Sequence, residues 1–373
     1  MGQPERRQTR AVVIRDTAAP ASLELLSIAP PGLGEVRVAL EAVGVCHTDY
    51  SVARGVLPIM RLPGVPGHEG AGLIESVGPG VTGFSPGDAV MVSSIAPCGV
   101  CARCQRGEGA YCTRERNRHG VMADGTTRLS DARGEPVYLG FNTGLFADLA
   151  VVDAAACVPV PPGLPLDVAA LLGCAVVSGY GAVVNTAQPE PATSLLVFGC
   201  GGVGLSAVMA AALVGASPIV AVDPSAGRRE VAKTVGATHT LDPGSSGFTD
   251  EAVALAAGGY RTVIEASGAP QAIDAVFELL EPGGTGVFVG APAPEVEVAV
   301  SVLALAASGK RLVGCLTGEV RPAVDLPALA RLYLDGRLPL DALVTSHVPL
   351  EDVESAFATV ERADGLRTIL TFA

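Results

Sequence analysis

Two textures divide the chain. From Ala11 to about Val152, short apolar runs of β type, such as Glu35 to Leu40 and Ala89 to Ser93, are broken by Pro-Gly, Gly-Val and Pro-Gly-Asp punctuation. That pattern predicts antiparallel strands joined by tight turns, closed into a barrel-like domain. From Ser194 the pattern changes to apolar strands alternating with alanine-rich helical stretches: Leu195 to Phe198, Gly202 to Val214, Pro218 to Val222 and Ala226 to Val235. Alternation of this kind predicts a parallel sheet with crossover helices, continued by strands near Thr262 to Glu265, Gly286 to Val289 and Arg311 to Gly314. The tail reads as a helix near Leu326 to Leu334, another near Leu350 to Glu361 and a strand at Thr368 to Phe372, returning to the first domain. The expected architecture is therefore α/β. A mainly antiparallel domain covers residues 1–180 and 320–373, and a doubly wound parallel sheet covers 181–319.

Composition narrows the class. A chain of 373 residues suits two domains, each with its own core. Charged residues are 17% of the chain, and 46 glycines with 28 prolines supply the turns. The balance of 25 basic to 38 acidic side chains gives −13, which opposes nucleic acid and anionic membranes as partners. Ala11 to Ile14 is too short for the apolar core of a signal peptide, and no longer apolar run suits a membrane span. A cytoplasmic protein is expected. In a reducing compartment, clustered cysteines point to metal and not to disulfides, while Cys157, Cys200 and Cys315 read as small buried apolar residues.

The first chemical signal is the string Leu195 to Gly204, in which Gly199, Gly201 and Gly204 form G-x-G-x-x-G between a strand and a helix. Gly199 permits the tight turn, Gly201 lets the backbone approach a pyrophosphate, and Gly204 allows close helix packing. Gly202 and Val203 open the helix whose free N–H groups face the anion. Asp223 ends the next strand, roughly 20 residues on, where a carboxylate accepts from both ribose hydroxyls and repels a 2′-phosphate. NAD is favoured over NADP, although Arg228 and Arg229 lie where arginines also hold a 2′-phosphate.

Cysteines supply the second signal. Cys98, Cys101, Cys104 and Cys112 are spaced so that consecutive turns can direct four thiolates at one ion, a closed tetrahedral shell. Cys46, His68 and Cys174 are dispersed, and two thiols with one imidazole leave a fourth position open for chemistry.

The strings Gly44-Val45-Cys46-His47-Thr48-Asp49, Gly67-His68-Glu69-Gly70-Ala71-Gly72, the four-cysteine lobe, Gly173-Cys174 with Ser178-Gly179-Tyr180-Gly181, and the glycine loop occur in that order. Together they resemble the zinc-containing medium-chain alcohol dehydrogenases over essentially the whole chain. The resemblance implies a GroES-type catalytic domain followed by a Rossmann domain, two zinc ions per chain, NAD, and a small alcohol or aldehyde as substrate. It implies a catalytic zinc on Cys46, His68 and Cys174 and a structural zinc on the lobe. Thr48 resembles the hydroxyl that takes the substrate proton, and Asp49 and Glu69 resemble carboxylates that orient the ligands. His47, Ser178, Arg228 and Arg367 match cofactor-contacting positions, and a homodimer is the family expectation.

This chain departs from many relatives at Ser51, where the proton relay ends on a histidine. Serine cannot hold a proton at neutral pH, so the proton leaves through water or by way of His47. The string Met122 to Arg128 resembles the subgroup of thiol-dependent formaldehyde and aryl-alcohol dehydrogenases. Arg114, Arg116 and Arg118 follow the lobe, where the carboxylate of a thiol adduct would be held, or they form a solvated basic loop. Small Ser94, with Tyr111 and Tyr138, suggests room for a bulky primary alcohol. The alternatives are oxidation of a thiol–formaldehyde adduct and a non-catalytic nucleotide- and zinc-binding regulatory protein. The apolar run Val296 to Ala307 reads as a sheet-edge dimer surface or a buried connection.

Overall fold

A computed structural model describes residues 5–116 and 118–372, and the chain divides into two compact units. The first comprises residues 1–174, 321–336 and 344–373; the second comprises 175–320 and 337–343. The chain changes unit between Cys174 and Ala175, where the sequence places the boundary near 180. The reason is local: helix Ala175–Gly181 packs on helix Gly202–Leu213 of the second unit. Among the described residues, no single helix is long and apolar enough to cross a membrane.

The first unit is built on two curled sheets. One has seven strands, in the order Cys157–Pro159, Ala89–Val92, Gly70–Val77, Glu35–Val45, Arg367–Thr371 and Val344–Pro349, with Leu149–Asp153 also on Glu35–Val45. Almost all of these pairings are antiparallel. The other has five strands, in the order Arg7–Val13, Ser22–Ile28, Leu129–Ser130, Pro136–Leu139 and Gly64–Val65. The long central strand Glu35–Val45 is buried along almost its whole length, because other strands and the core cover both of its faces. It delivers the chain to Cys46.

The second unit is a six-stranded parallel sheet in the order His239–Leu241, Ile219–Val222, Leu195–Phe198, Tyr260–Glu265, Leu280–Phe288 and Arg311–Gly314. Order reverses at Leu195–Phe198, the strand followed by the glycine loop, which is where such sheets bind ligands. All four residues of that strand are buried, as parallel strands covered on both faces must be. Each contributes about 1.5–3 kcal/mol by burial.

One sequence expectation is corrected here. The apolar run Val296 to Ala307 is not a sheet edge: it is irregular up to Ser301 and then enters helix Val302–Ser308, capped by the Ser301 hydroxyl. Val302 and Leu303 are 81% and 79% exposed, so the run is not a buried connection either. Alternating alanine and leucine after a serine cap favours helix over strand.

Candidate active site and metal centres

Cys46 ends the run from the central strand and caps helix His47–Ala53, so that four consecutive functional candidates leave the sheet on one turn. His68 arrives on the loop between strands Gly64–Val65 and Gly70–Val77, and Cys174 follows helix Leu166–Leu172. The three donor atoms lie within 4.8 Å of one another. Cys46 and His68 are buried and Cys174 is half-buried.

Asp49 organises this trio. Its carboxylate is fully buried and meets His68 Nδ1 at 3.0 Å, which turns Nε2 toward the two sulfurs. The same carboxylate accepts from the backbone N–H of Cys46 at 3.1 Å and of Gly67 at 2.9 Å, tying together the two strings that carry the ligands. A metal-binding imidazole is oriented in this way by an acid on its other nitrogen. Two thiols and an imidazole of fixed tautomer form a borderline-soft donor set that suits zinc, and three donors leave a position for substrate. The hydrogen bond between the two sulfurs holds the Cys46 thiol well below its ordinary value and pushes Cys174 well above it. Burial pulls His68 down, yet Asp49 and Cys174 outweigh it and hold its pKa well above the ordinary value.

Glu69 is also fully buried, 3.8 Å from the guanidinium of Arg367, which itself donates to the Val45 carbonyl at 3.3 Å. Burial, with Cys46 and Asp49 nearby, pushes the Glu69 carboxyl up to about 7 against the pull of Arg367 and His68. Arg367, read from sequence as a cofactor contact, thus also belongs to the electrostatics of the metal site. Thr48 lies 3.6 Å from Cys46 Sγ. Buried Ser51 meets Nδ1 of exposed His47 at 3.2 Å. Ser94 bonds the Gly173 carbonyl, one residue before Cys174.

Sequence reasoning missed Phe141. Its ring centroid lies 4.2 Å from that of His68, and its backbone, like that of Asn142, is left-handed at φ of 53° and 60°. Gly140, Asn142 and Gly144 mark a turn here, but nothing in the sequence sets the Phe141 ring against His68. Tyr138 sits elsewhere, with its ring under Arg61 on the five-stranded sheet. Arg118 is paired with Asp153, Arg114 is exposed, and the Arg116 side chain lies outside the described residues.

The four-cysteine lobe closes as spaced. Sulfur separations are 3.5 Å for Cys101 and Cys104, and 3.9 Å for Cys98 to Cys104 and Cys101 to Cys112. Backbone N–H groups of Cys104 and Thr113 hold the Cys101 thiol down to about 5, while burial and its sulfur neighbours push Cys104 up to about 12. Four sulfurs at this spacing fit one structural zinc, with no position left over.

In the second unit, the glycine loop shows why each glycine is needed. A Cβ at Gly204 would lie 1.7 Å from the Gly199 carbonyl oxygen, whereas one at Gly201 would meet open space. The first glycine serves helix packing and the second leaves room for a pyrophosphate at the helix start. Gly179 beside Ser178 presses on Val203 in the same way. Asp223 accepts from the Cys200 N–H at 2.7 Å and the Ser225 N–H at 2.8 Å, which fixes the carboxylate at the strand end. Arg229 is committed to the carbonyls of Asp223 and Pro224 and to Asp242. The backbone N–H of Arg228 donates to the Ser225 hydroxyl that caps helix Ala226–Thr234.

Comparison with known proteins now bears on this geometry. Residues 32–162 match the family described as alcohol dehydrogenase GroES-like domain, and residues 202–333 match zinc-binding dehydrogenase. Alcohol dehydrogenase 1 of Pisum sativum is 32% identical over 97% of this chain and 96% of its own length. The chain belongs to the zinc-containing medium-chain alcohol dehydrogenases. An alcohol dehydrogenase zinc-binding domain protein from Burkholderia ambifaria superposes with a TM-score of 0.93 at 36% identity, covering 99% of this chain and all of the other. Benzyl alcohol dehydrogenase from Acinetobacter calcoaceticus gives 0.92 at 33%, covering 98% and 100%. This alcohol dehydrogenase is thus a zinc-dependent oxidoreductase with a GroES-like and a Rossmann part, built to use a nicotinamide cofactor.

Proposed function

We propose that this alcohol dehydrogenase interconverts a primary alcohol, bulky or aromatic ones included, and its aldehyde, with hydride passing to and from NAD. The observation that carries the reading is the three-donor set of Cys46, His68 and Cys174, open where the lobe is closed. Zinc, when bound there, lowers the pKa of the alcohol hydroxyl and polarises the carbonyl in the reverse direction. Asp49 holds His68 in the tautomer that keeps Nε2 available. The Thr48 hydroxyl accepts the substrate proton, and the Ser51–His47 pair carries it from a buried oxygen to an exposed imidazole. That pair supplies the acceptor a lone serine lacks. Fixed Asp223, with Arg229 occupied elsewhere, supports NAD over NADP. The 33% identical relative named for benzyl alcohol, together with small Ser94, supports an aromatic substrate.

Metal analysis combined with NAD and NADP reduction over aliphatic, aromatic and terpenoid alcohols tests the reading; turnover that survives complete zinc removal overturns it. Formaldehyde assayed with and without low-molecular-weight thiols separates the adduct alternative, which the engagement of Arg118 by Asp153 disfavours. Self-association through the exposed face at Val302 and Leu303 belongs to the same proposal, and sedimentation of the wild type and V302D checks it.

A further inference from the structure

The string Met122 to Arg128 was not absorbed by the metal site or the cofactor loop, and the structure shows what it builds. Its Gly125 to Arg128 part forms one wall of an open cavity of about 420 Å³ on the five-stranded sheet, whose lining includes Arg6, Arg61 and Arg128 and, among the described residues, no aspartate or glutamate. None of the metal-site residues takes part. In a chain of net charge −13, three guanidiniums on one concavity are not a solvated face of ordinary composition.

Each arginine is held before any ligand arrives. Arg61 lies 3.8 Å from the Tyr138 ring centroid and donates to the Tyr138 oxygen at 2.8 Å. Arg6 donates to Ser27 at 3.2 Å and Ser130 at 3.5 Å. Arg128 is anchored from behind by Glu35 at 2.6 Å and Asp124 at 2.7 Å, and its side chain is only 11% exposed. Arg128 is therefore neutralised, whereas Arg6 and Arg61 meet no carboxylate among the described residues. Their remaining N–H groups, with the Tyr138 and Ser130 hydroxyls, place several donors on one wall. A guanidinium fork matches the paired oxygens of a carboxylate or phosphate, and prior ordering lowers the entropy lost on binding.

We propose that this cavity is a second ligand site, distinct from the metal centre, for a small anion bearing phosphate or carboxylate groups. It shares elements with the metal centre. Strand Pro136–Leu139, which supplies Tyr138, pairs with Gly64–Val65 and leads to Phe141 over His68.

The test is calorimetric titration of the zinc-loaded full chain with inorganic phosphate and, separately, succinate, at low salt and with saturating NAD so that the dinucleotide site is filled. Saturable binding to the wild type is expected, weakening with added sodium chloride. R6Q/R61Q should weaken it by about tenfold or more, and R61K should do so by less, because charge remains but the fork is lost. Phosphate alone binding assigns phosphate compounds, and succinate alone assigns carboxylates. Absence of saturable heat with both probes, or the same affinity in an R6Q/R61Q variant whose thermal midpoint matches the wild type, overturns the proposal. Should R6Q/R61Q fail to fold, the exposed single variants R6Q and R61Q are read by the same criterion.

Discussion

Asp49 touches no reacting atom, yet it decides what His68 can do. Replacing it with alanine removes three hydrogen bonds at once, to His68, Cys46 and Gly67. The expected result is a loss of about 10–100-fold in zinc affinity at the Cys46, His68 and Cys174 site, measured by chelator competition, with zinc binding to the lobe unaffected. Protonation sets a second expectation. With His68 and Cys174 both held above their ordinary values, the empty site carries protons that zinc must displace. Zinc binding at neutral pH should release about two protons, and affinity should fall as pH falls, which titration in buffers of different ionisation enthalpy detects. Most of this site was readable in the sequence because ligand chemistry restricts residue type: only thiols, imidazoles and carboxylates serve. Phe141 and the dual position of Arg367 were not readable. Aromatic packing and long-range charge leave no spacing rule behind, and the glycines around Phe141 announce a turn without saying where its ring goes.

The glycine loop and the cysteine lobe carry their purpose in local geometry, and each allows a test that separates folding from binding. G204A places a methyl 1.7 Å from a carbonyl oxygen and should cost several kcal/mol, seen as a depressed thermal midpoint. G201A fills only open space, so the midpoint should hold while NAD binding weakens by at least about tenfold, measured by fluorescence titration. In the lobe, C104S should reduce zinc from about two ions per chain to about one and speed proteolysis between Cys98 and Cys112. Strands such as Leu195–Phe198 and Ile219–Val222 match the sequence pattern because short apolar runs between breakers have few other uses. The run from Val296 was misread because apolar character alone does not distinguish an exposed helix from a sheet edge; the serine cap at Ser301 was the signal that separates them.

Over the first unit as a body, acid sensitivity follows from one buried cation. Arg37 is 2% exposed and bonded to Glu75 at 2.7 and 3.0 Å. Burial would raise the Glu75 carboxyl, but hydrogen bonds from Arg37 and Arg7 hold it down to about 2. A carboxyl whose folded pKa lies below its unfolded value stabilises the fold above pH ~4.5 and loses that contribution as pH falls toward 2. E75Q should therefore lower stability by about 1–3 kcal/mol at pH 7 and by progressively less below pH 4, as urea denaturation across pH would show.

The strand Arg367–Thr371 joins the sheet beside Val45, and Arg367 reaches the Val45 carbonyl across 322 residues of chain. The four lobe sulfurs, by contrast, meet within 14 residues. During synthesis the lobe's four thiols are all present once Cys112 has emerged, whereas Arg367, which faces Glu69 beside Cys46, is added only much later in the chain. The lobe's residues are thus assembled before the surroundings of Cys46 are complete, so the two groups of thiols should respond differently to zinc limitation during synthesis, which the zinc content of protein translated in a zinc-poor extract checks.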